Sequence, residues 1–175
     1  MKDIYCNKEY MSIIEDILNN SEFMKITNSC HHGLSRLDHC LRVSYYSYLW
    51  AKKLKLNYVE AARAGLLHDF FTNDELTDKE KSILALIHHK KALANASKYF
   101  ELTKREKNII FTHMFPLTPF CIPRYLEAYL VSIVDKKVAL YEYKLTKPVV
   151  IRNKFYNMLS YTFLFMIFCC RFNNL

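Results

Sequence analysis

An all-α bundle is the fold class that this sequence predicts, on three observations. The 175 residues include only two glycines and four prolines, whereas an all-β chain needs turns every ten residues or so and draws on both residue types to make them. Two segments carry the Thr-x-x-Glu spacing with which a side chain caps a helix start, Thr77 to Glu80 and Thr103 to Glu106. Residues 35–54, SRLDHCLRVSYYSYLWAKKL, set apolar and aromatic residues such as Val43, Tyr46, Leu49, Trp50 and Leu54 among polar ones at helical spacing.

The elements follow in order. An N-terminal helix precedes the long amphipathic helix 35–54, which opens on a capping-type serine, Ser35. Asn57 is placed to cap the next helix, YVEAARAGLLHDF, whose inner face holds Ala61, Ala64, Leu67 and His68. The two capping boxes start helices over 78–87 and 104–113, each finishing at a histidine, with KKALANASKYF as a further short helix between them. After the proline-bearing loop MFPLTPFCIP, Pro123 suits a helix start, and RYLEAYLVSIVDKKVALYEY continues at helical spacing. Pro148 opens a last helix through an apolar tail.

Composition bounds the function. Twenty-five Lys and Arg against 17 Asp and Glu leave a net charge of +8, which favours anionic partners. The lysines are spread along the chain, as on solubilised helix faces, and no recognisable nucleic-acid module accompanies them, so a nucleic-acid partner is disfavoured. Six cysteines without a C-x-x-C pair, and a polar start without a secretory leader, lead us to expect a reduced cytoplasmic protein. The segment 159–170, LSYTFLFMIFCC, is almost wholly apolar. It is shorter than the roughly 20 residues that a spanning helix needs, so it reads as a core or interface helix, the alternative being a membrane-touching tail or one through which the chain forms a homo-oligomer.

Chemistry gathers on the histidines. AGLLHDFF, residues 64–71, ends an apolar run with His68 and Asp69 against two phenylalanines. An unpaired carboxylate buried there would cost several kcal/mol or more, so something cationic is expected beside it. His39, His88 or its neighbour His89, and His113 lie on other predicted helices, and Asp135 interrupts the apolar run YLVSIVDKKVAL. Histidines and two carboxylates on separate helices describe a cavity lined with metal ligands. Imidazole and carboxylate together suit iron, manganese, zinc or nickel, with magnesium for a weaker site. Adjacent helical residues diverge by about 100°, so His68 and Asp69 cannot both point straight at one spot, and Asp69 would reach sideways between two ions.

The order His39, His68-Asp69, Asp135 resembles the H...HD...D pattern of the HD-domain metal-dependent phosphohydrolases, an all-helical family, over roughly residues 30–140 of one domain spanning 1–175. SRLDHCLRV, AARAGLLHDFF and the H-x-x-x-A-L-x-N-A run from His88 are similar to bacterial HD-domain proteins with two extra histidines, which would make His88 and His113 additional ligands. That arrangement also resembles the one holding two metals in the HD-GYP cyclic-dinucleotide phosphodiesterases. The resemblance implies His39, His68 and Asp135 on one divalent ion, His88 and His113 on a second, and Asp69 bridging, with iron or manganese favoured. It implies a hydroxide held between the ions as nucleophile and His68 and Asp69 at the heart of catalysis. The substrate would be a small phosphoester, of a nucleotide or nucleotide derivative, with Arg36 and Lys136 meeting phosphate oxygens and His32 contacting substrate or protonating the leaving group. The lysine that commonly follows HD in the HD-GYP group is missing from Phe70 to Asp74, and no GYP triplet occurs, which disfavours a cyclic dinucleotide. A nucleotide- or partner-binding module without turnover is the alternative. His31→Ala is expected to be nearly silent.

Overall fold

A computed structural model describes residues 2–31 and 34–146, so His32, the helix expected from Pro148 and the apolar segment 159–170 lie outside the described residues. Nine α-helices are found among the described residues: α1 Lys2–Cys6, α2 Lys8–Leu18, α3 Ser21–Met24, α4 Arg36–Lys53, α5 Tyr58–Leu67, α6 Asp78–Ser82, α7 Leu84–Tyr99, α8 Lys104–Thr112 and α9 Leu126–Thr146. The class is all-α, as expected. One small departure is a two-residue antiparallel ladder, in which β1 (Cys30–His31) pairs with β2 (Leu34–Ser35).

Local chemistry explains most boundaries. The carboxamides of Asn7, Asn20 and Asn57 accept from backbone amides of the first turns of α2, α3 and α5. Both capping boxes form in full at Thr77 and Thr103. Ser35 does precede α4, but its hydroxyl donates to the Thr27 carbonyl at 3.3 Å and caps nothing. The far end of α4 closes with Leu56 N–H on Ala51 O (2.9 Å) and Lys55 N–H on Lys52 O (3.2 Å). This pair of bonds usually carries a glycine at the left-handed position, and here Lys55 occupies it, with φ 58°.

Three expectations change. The helix read as ending at a histidine near 88 instead breaks at Ile83 (φ −115°), and α7 then runs unbroken from Leu84 to Tyr99, so the KKALANASKYF segment is its second half and the histidines lie in its first turns. Helix α9 begins at Leu126, three residues after Pro123. His68 is the C-cap of α5 and no longer inside it, which frees His68 and Asp69 from strict helical divergence.

Helix α5 runs through the middle of the assembly and touches α2, α4, α7, α8 and α9. Its crossing with α4 is close because residue 65 is glycine: a Cβ there would stand 3.2 Å from Ser44 Cα, a backbone atom that cannot swing away. Ser44 completes the junction by donating to Ala62 O (2.7 Å) while accepting from the Tyr10 hydroxyl (2.8 Å). Around it Tyr10, Ile14, Ile17, Leu41, Leu66, Leu67, Ile109 and Ile110 are fully buried, each aliphatic side chain worth about 1.5–3 kcal/mol. This core carries the C-terminal end of α5 to the place where α4, α7, α8 and α9 meet.

Candidate metal centre

Each expected ligand arrives on a different support. His39 projects from α4 and is fully buried, with Nε2 3.1 Å from Asp135 Oδ1 and Nδ1 2.8 Å from Glu142 Oε2. Asp135 and Glu142 are seven residues apart on α9, two turns, and so share a face. Arg42, almost one turn after His39, donates to the other Glu142 oxygen at 2.5 Å. At the end of α5, His68 Nδ1 donates to Gly65 O at 2.8 Å. His88 Nδ1 donates to Leu84 O (2.9 Å) and His113 Nδ1 to Ile110 O (2.7 Å).

These three backbone bonds fix which nitrogen carries the proton. A neutral imidazole has one N–H, and once Nδ1 has donated it Nε2 is left with a lone pair. The Nε2 atoms of His88 and His113 face each other at 2.9 Å, and Asp69 Oδ1 stands 3.4 Å and 3.8 Å from them. His68 Nε2 is buried without a hydrogen bond, 3.5 Å from Asp135 Oδ1 and 3.9 Å from Asp69 Oδ2. Acceptors therefore face acceptors. Such an arrangement is repulsive unless positive charge lies among them, and a divalent cation fits this donor set. Two groups of ligand atoms, His39–His68–Asp135 and His68–Asp69–His113, each lie within 4.8 Å of one another.

Protonation tells the same story. Burial pulls the His113 imidazole down, and the crowding of His68 and His88 beside it disfavours a proton there as well, so it sits well below its ordinary value. Burial works against ionised Asp135, but the hydrogen bond from His39 holds its carboxyl well below the usual range. His39 is held up to about 10: burial lowers it, and Asp135 and Glu142 on its two sides more than compensate.

Arg36 and Lys136 both donate to neighbouring protein groups. The Arg36 guanidinium lies 3.7 Å over the Phe71 ring, donates to Phe71 O (2.8 Å) and Asn73 Oδ1 (3.1 Å), and so clamps the loop following His68-Asp69 to the start of α4. Lys136, brought down to about 8 by burial, donates to His113 O at 2.9 Å and to Ser132 Oγ at 2.8 Å. His89 turns away from the cluster, with Nε2 3.8 Å from Cys121 Sγ and its ring against Phe111, so of the two neighbouring histidines it is His88 that faces Asp69. The sequence reading missed Glu142 and Arg42. The available signal was the seven-residue step from Asp135 to another acid on the same helix, hidden by the polar surroundings YEYK.

Fold and site together define a class: helical domains that gather imidazoles and carboxylates from several helices around divalent metal. Within it, the family model described as HD domain matches residues 36–140, more than half the chain. The chain belongs to the HD-domain family, whose domains bind divalent metals and which points to the metal-dependent phosphohydrolase superfamily. Neither the curated proteins nor the solved structures provide a significant match.

Proposed function

We propose that this protein is a metal-dependent phosphohydrolase or phosphodiesterase that hydrolyses a small phosphoester, of a nucleotide or nucleotide derivative, at the pocket where α4, α5, α7, α8 and α9 converge. The observation that carries the reading is the set of buried imidazole lone pairs from His68, His88 and His113 that converge, within 3.4–3.9 Å, on the carboxylates of Asp69 and Asp135. His39, His68 and Asp135 would hold one ion and His88 with His113 a second, with Asp69 reaching both. Divalent ions supply the charge that lets water ionise near neutral pH and that steadies a phosphoryl group under attack. Iron or manganese suits this donor set best.

The chain's own groups do the positioning. Glu142 accepts from His39 Nδ1 and so turns its Nε2 toward Asp135. Lys136 anchors the His113 carbonyl, and Arg36 fixes the loop after Asp69. Direct contact of either cation with phosphate oxygens, and a part for His32 in handling the leaving group, complete the reading.

Elemental analysis of protein purified without chelator, followed by a phosphate-release screen with added manganese and iron, tests it. We expect close to two ions per chain and hydrolysis that Asp69→Ala abolishes together with metal retention. Tight nucleotide binding without turnover under every metal would instead make this a binding module.

A further inference from the structure

A second surface lies on the loop that leaves His113. Residues 114–125 join α8 to α9 and carry Pro116, Pro119 and Pro123. The side chain of Phe120 is 98% exposed, and Leu117, Ile122 and Leu126 are exposed as well. Beside the loop runs a groove of about 460 Å³ lined by Lys104, Lys107, Phe111, Phe120, Ile122 and Arg124.

The charges there have one sign. Lys104, Lys107 and Arg124 are exposed and make no ion pair among the described residues. The only acids between residues 103 and 127 are Glu106 and Glu127. Both are buried, Glu106 against Arg63 and Glu127 against Arg105 and the Asn57 amide. Apolar side chains standing in water at a proline-stiffened tip, ringed by unpaired cations, are what a surface both greasy and anionic would complement.

We infer that the 114–125 loop and the α8 cations dock this protein peripherally on an anionic lipid surface, with Phe120 inserted at the acyl boundary and Lys104, Lys107 and Arg124 against the headgroups. Two other occupants fit less well. A second copy of the same face would set cation against cation. A single-stranded nucleic acid takes aromatic platforms, whereas Leu117, Ile122 and Leu126 offer no stacking face and a bilayer accepts them. The three prolines fix backbone torsions in advance, so less order is lost when the loop docks. Among the described residues no helix is long and apolar enough to cross a membrane, and this surface needs none. It uses no residue of the metal centre, so it stands or fails apart from the proposed hydrolysis.

The test is co-sedimentation of the full chain with extruded vesicles of phosphatidylcholine, with and without phosphatidylserine. Binding is expected only with phosphatidylserine and should weaken as salt rises. Phe120→Ser should lower the partition coefficient at least roughly tenfold, and Lys104→Glu and Lys107→Glu roughly fivefold or more each. All three positions are exposed, and an unchanged thermal melt verifies the fold of each variant. In a Trp50→Phe background, Phe120→Trp should shift its emission to the blue on phosphatidylserine vesicles alone. Equal binding to neutral vesicles, or binding that none of the variants weakens, overturns the inference. So does a surface that ignores vesicles and instead binds a single-stranded oligonucleotide, or forms a dimer, in a Phe120-dependent way.

Discussion

His39 shows how far a single side chain depends on what stands behind it. Its imidazole lies between Asp135 on the pocket side and Glu142 on the outer side, and Glu142 is itself held by Arg42. Replacing the Glu142 carboxylate by a carboxamide leaves an acceptor oxygen in place but weakens the hold on the Nδ1 proton, and outer partners of this kind typically matter 10–100-fold for metal affinity. Glu142→Gln should therefore weaken metal binding by about one to two powers of ten in a chelator competition, with secondary structure unchanged by circular dichroism. Unaltered affinity would show that Glu142 serves packing alone. At this scale the sequence displayed the ligand types and not their partners. Asp69 and Asp135 stood out as carboxylates at otherwise apolar positions and His39, His68, His88 and His113 as histidines on separate helices, and all six meet in one pocket. Glu142 is fully buried as well, yet a sequence position flanked by tyrosines and lysine reads as surface.

At the scale of elements, signals confined to one turn were legible and signals set by packing were not. The capping boxes at Thr77 and Thr103 and the Asn57 cap are satisfied within three residues, so their spacing alone determines them. The break at Ile83 has no glycine or proline to mark it. The residue after α4 is a case where local preference and structure disagree. Lys55 adopts a left-handed conformation that costs a side-chain-bearing residue about 1–2 kcal/mol, against the smaller entropic advantage it has over glycine in the unfolded chain. Lys55→Gly should raise stability by up to about 1 kcal/mol, read from urea midpoints at constant m-value. A loss of stability would mean that the lysine side chain makes a compensating contact.

For the whole molecule, the pocket opposes folding until charge is supplied to it. Acceptors from α7, α8, α9 and the end of α5 are pressed together by a core that α5 organises, and a cation that binds only the folded arrangement adds to its stability. The melting temperature should fall on treatment with chelator and recover with manganese or iron. Saturation at a hundredfold excess over Kd is worth about 2.7 kcal/mol. A melt indifferent to both would remove the pocket from any metal role. The two sides of the pocket also differ in kind. Helix α9 lends carboxylates to one side, Asp135 directly and Glu142 behind His39, whereas α7 and α8 contribute only imidazoles to the other. Among the described residues Asp69 is the one carboxylate beside those imidazoles, so the two sides differ in ligand set, and filling should be stepwise, with a calorimetric titration of stripped protein passing through a half-loaded species.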